Sequence, residues 1–115
     1  MIETELYQHL DSNVSSVNGR ISPLIMPQNT DKPALVYTVI SDSDEHSLEG
    51  GSCAGVIRVQ IDVYAKTYAE AKTVKDEVKA ALYSFSYLPY DLITLDGFED
   101  GQELSRQIID FKIRR

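Results

Sequence analysis

The stretch Ala54-Gly-Val-Ile-Arg-Val-Gln-Ile-Asp-Val-Tyr-Ala65, followed across Lys66 by Thr67-Tyr-Ala-Glu70, decides the fold. Successive side chains of a strand point to opposite sides. The stretch therefore puts Ile57, Val59, Ile61 and Val63 on one face and Arg58, Gln60, Asp62 and Tyr64 on the other. One face can be buried, and the other left to water or to a partner. Thr67 to Glu70 reads as a capping box, in which the Thr67 hydroxyl accepts from the Glu70 amide. Ala71, Val74, Val78, Ala81 and Leu82 then recur at helical spacing, one apolar stripe among charges. Strand and helix are each apolar on one side, so each can cover the other.

Before this stretch, Ile2, Leu6 and Leu10 form a narrow stripe that predicts a first helix from Ile2. Asp11-Ser-Asn13 weakens the pattern, because these side chains compete for backbone hydrogen bonds. The helix ends there or runs on to Val17, and Asn18-Gly19 stops it. Pro23 confines the apolar segment Ile21 to Met26 to a sheet edge or an extended connector. Pro27 to Pro33 reads as a loop, and Leu35 to Ile40 as a strand, apolar on both faces. Ser41 to Gly55 reads as a long loop, with Ser41-Asp-Ser-Asp-Glu-His46 and Glu49-Gly-Gly-Ser52 inside it. A loop of that length in a small domain needs a function, and a hairpin tongue that orders against a partner supplies one.

After the second helix, Tyr83, Phe85, Tyr87 and Tyr90 pack a helix–strand corner or anchor an interface. Leu92 to Phe98 reads as a strand and Glu99-Asp-Gly101 as a tight turn. In the last strand, Glu103 to Arg114, Ile109, Phe111 and Ile113 alternate with Ile108, Asp110, Lys112 and Arg114. It matches the 54–65 strand, and the two pair naturally in an antiparallel sheet. The expected fold is one α+β domain over residues 1–115, a mainly antiparallel sheet with two helices on one face.

Composition narrows the chemistry. A formal charge of −7 opposes sequence-specific or general nucleic-acid binding. The basic cluster Lys112-Ile-Arg-Arg115 reads as a solvated strand end. No apolar run reaches the roughly 18 residues of a membrane helix, and the acidic start lacks a signal-peptide pattern, so a cytoplasmic protein is expected. One cysteine, Cys53, excludes an internal disulfide. Asp42, Asp44 and Glu45 lack the spacing of a calcium loop. No phosphate loop, nucleophile elbow or paired-histidine metal motif is present. No cofactor, metal site or catalytic group is expected.

The Ile2-Glu-x-x-Leu6-Tyr7 start, the extended Arg20-Ile-Ser-Pro-Leu-Ile-Met-Pro27, and Pro33-Ala-Leu-Val-Tyr-Thr38 resemble the tail-completion family of long-tailed phages and prophages. Arg58-Val-Gln-Ile-Asp-Val-Tyr-Ala65 with Thr67-Tyr-Ala-Glu-Ala71 carries the resemblance best. It implies a structural, non-enzymatic protein that forms a hexameric ring. Such a ring caps the tail tube, stops its polymerisation and joins tail to head. The implied partners are further copies of the chain, the major tail tube protein and a head–tail connector. The implied location is the virion tail, after assembly in the host cytoplasm. A closed ring needs one patch to meet a different patch on its neighbour. Arg58, Gln60, Asp62 and Tyr64 on the polar strand face, with Asp42, Asp44, Glu45 and Glu49 in the long loop, are the candidate contacts. Two other readings stand beside this one. The chain can be a small cytoplasmic regulatory domain that binds a metabolite between sheet and helices. It can also be a hydrolase or isomerase that uses His46, Cys53 or clustered carboxylates.

Overall fold

The computed structural model describes residues 2–45, 54–99 and 104–114. Its elements follow in the order α1 (Ile2–Asn13), a 3₁₀ turn (Ser15–Val17), β1 (Ile21–Pro23), β2 (Ala34–Glu45), β3 (Ala54–Ala65), α2 (Tyr68–Tyr83), β4 (Tyr90–Glu99) and β5 (Leu104–Arg114). The five strands form one sheet in the order β1-β2-β3-β5-β4. Among the described residues, only the β1–β2 pair is parallel. The chain is therefore the expected α+β layer, and β3 is its middle strand.

Register explains the core. Ile57, Val59 and Ile61 of β3 stand opposite Ile113, Phe111 and Ile109 of β5. All six are buried in one cluster beneath the helices. The α2 stripe of Ala71, Val74, Val78, Ala81 and Leu82 closes over it, and every member is buried. Each fully buried large aliphatic contributes about 1.5–3 kcal/mol relative to exposure. The cap forms as the sequence predicts, with the Glu70 amide donating to Thr67 Oγ1 at 3.2 Å.

The first helix resolves the choice left open by Asp11-Ser-Asn13. It stops at Asn13, and Val14 leaves helical geometry with φ −114° and ψ 82°. The 3₁₀ turn follows, and Asn18 and Gly19 are both left-handed, at φ 48° and 78°. Breaking the helix here lets Val14 and Val17 join Leu6 and Leu10 in the core. The His9 ring nitrogen Nε2 lies 2.7 Å from the Ala81 carbonyl, and the ring packs on Phe85 with centroids 5.0 Å apart. These contacts fix α1 on the end of α2.

Two expectations need correction. The segment from Ser41 is not a loop: Ser41 to Glu45 continue β2 and pair with Arg58 to Ala54 of β3, beyond a bulge between Val39 and Ser41. These polar residues have little strand preference of their own, and the strongly β-forming partner strand imposes the pairing. The fourth strand begins at Tyr90, two residues earlier than expected, and is irregular between Tyr90 and Ile93 where Asp91 takes φ 54°. The Asp100-Gly101 turn lies outside the described residues. The aromatic run divides: Phe85 is buried and Tyr83 is exposed. Among the described residues, no helix is long and apolar enough to cross a membrane.

A polar network ties α2 to β4. Asp96 stands opposite Gln107, whose Nε2 donates to Asp96 Oδ1 at 2.7 Å. Tyr68 Oη donates to Asp96 Oδ2 at 3.1 Å, and Lys72 Nζ lies 3.1 Å from Oδ1. The Gln107 bond, then that from Lys72, hold the Asp96 carboxyl below the usual aspartate range. A carboxyl depressed in the folded state stabilises it above its unfolded pKa, about 3.9, and loses that effect as pH falls through the folded value. Asp96→Asn should therefore lower the urea midpoint near neutral pH. The gap from wild type should close as the pH drops below 4. A gap that stays constant to pH 2.5 would show that the carboxylate charge is not the stabilising feature.

Candidate interaction surface

Among the described residues, both helices lie on one side of the sheet and neither covers the other side, where Ala34, Val36 and Asp62 are nonetheless buried and much of β4 is exposed. The side chains of that second side stand in rows set by the register. Val36, Asp62, Ile108 and Leu95 form one row across β2, β3, β5 and β4. Thr38, Gln60, Asp110 and Ile93 form the next, and Ala34, Tyr64, Arg106 and Gly97 lie on the other side of the first. The polar residues expected from β3 run down the middle of this lattice.

The structure separates those residues by role. Arg58 binds Asp110 of β5 through two nitrogens, with Nη2 at 2.6 Å and Nε at 3.0 Å. Its side chain stays 48% exposed, so it can still meet a partner. Gln60 is half-buried, and its Nε2 donates to Asp62 Oδ1 at 3.1 Å. Asp62 departs from the wet face expected of it: it is 5% exposed and lies 3.2 Å from Arg106 Nη2. Val36 and Ile108 flank it on the adjacent strands, and burial between apolar neighbours removes most of its contact with water. Tyr64 is half-buried, with the Arg106 guanidinium 5.7 Å from its ring centroid. Gly97 lies beside the Arg106 stem, where a Cβ would fit in ordinary contact, 3.5 Å from Arg106 Cδ. Asp42 and Asp44 stand exposed on the β2 stem, and Glu45 pairs through its backbone with Ala54. Glu49, His46 and Cys53 lie outside the described residues.

Sequence reasoning missed an apolar component of this face. Ile93 and Leu95 are 56% and 53% exposed, and half-buried Ile108 lies beside Leu95. Their alternation with Leu92 and Thr94 is visible in the sequence, but not which side the helices would cover. Leu24 and Ile25, just after β1, are 69% and 78% exposed. Among the described residues, no three or more His, Cys, Asp or Glu are grouped to hold a metal ion. This side of the sheet combines paired charges with exposed aliphatic side chains.

Residues 4–114 match the family model described as tail completion protein gp17. The chain belongs to this family. The match covers every described element except the first residues of α1. A solved chain from the virion of a native gene transfer agent particle shares the fold, with a TM-score of 0.73 at 17% identity. The superposition covers 98% of this chain and 92% of that one. No curated protein matches in sequence. Membership makes this a phage tail structural protein, the coarse role that the sequence resemblance implies.

Proposed function

We propose that the chain is the subunit of a ring that caps the phage tail tube, ends its polymerisation and presents a surface to the head connector. The family match over residues 4–114 carries this reading. The sheet face that the helices leave uncovered supports it, because a subunit between two neighbours and a tube needs several exposed contact areas. The partners are further copies of the chain, the major tail tube protein and the head–tail connector. The protein acts without a cofactor and without chemistry, as part of the virion tail after assembly in the host cytoplasm. Arg58, Gln60 and Tyr64, with Asp42, Asp44 and Glu45 at the end of β2 and Glu49 outside the described residues, belong to its contact surfaces in this reading.

The test combines mass and tube length. Light scattering should find a discrete species of about six 12.9 kDa chains. Added to polymerising tube protein, that species should shorten the tubes seen by electron microscopy. A monomer that leaves tube length unchanged would overturn the proposal.

A further inference from the structure

We draw no further inference here: the strongest candidate, the exposed aliphatic patches at the two sheet edges, Leu24–Ile25 after β1 and Ile93–Leu95 on β4, carries no proposal because nothing in the structure shows what covers them.

Discussion

Phe111→Ala should lower the melting temperature by about 15 °C. Phe111 is fully buried and, among the described residues, is the largest of the fully buried side chains. It stands opposite Val59 at the centre of the β3–β5 pair, in the cluster that α2 closes. Removing a buried phenylalanine ring costs about 3–5 kcal/mol, the lost transfer energy plus the cavity left behind. For a domain near 100 residues, each kcal/mol moves the midpoint by about 4 °C. The site cannot collapse easily. Its neighbours on β3 are held by hydrogen bonds to two strands, and α2 is fixed by the Thr67 cap and the Asp96 network. Thermal unfolding followed by far-ultraviolet circular dichroism measures the loss. A fall of less than about 3 °C would mean that the cluster repacks and that the β3–β5 pair is not the centre of stability.

That centre was legible because the sequence signals there agree. The 54–65 strand alternates without a fault over Ile57 to Val63, the last strand does the same, and Thr67 marks where the helix starts. The signal fails where one element dictates the state of another. Ser41 to Glu45 have a loop composition, yet β3 is long enough to pair with them and holds them extended. The Ile2–Asn13 helix ends before Val14 because the core needs Val14 and Val17, a demand that helical spacing cannot express. The strand order is a third case. β5 returns between β3 and β4, which places Ile108 and Leu95 side by side with Asp62. No local pattern records which residues share a row across four strands, so a reading of β3 by itself finds a polar face where the sheet has a partly buried one. The same limit hid the apolar strip on β4, whose two faces look alike until the helices choose one.

Asp62→Lys tests that distinction, with an expected loss of about 3 kcal/mol in urea unfolding. Asp62 accepts from Gln60 Nε2 and lies beside Arg106, between Val36 and Ile108 in its row. Removing one partner of a buried ion pair costs roughly 3–5 kcal/mol, because the other charge is left in a dry site. Here the Arg106 side chain is 26% exposed, which sets the estimate at the low end. Lysine also adds a like charge against Arg106 and deprives the Gln60 amide of its acceptor. The paired replacement Asp62→Leu with Arg106→Met should recover most of the loss, since apolar groups of similar size often replace a buried pair at little cost. The two experiments separate packing from recognition. A stable double variant that still assembles would make Asp62 a support for the surface around Arg58 and Tyr64. An Asp62→Lys protein that unfolds like wild type but sediments as a monomer would make Asp62 a contact residue, as the alternation of its strand first suggested.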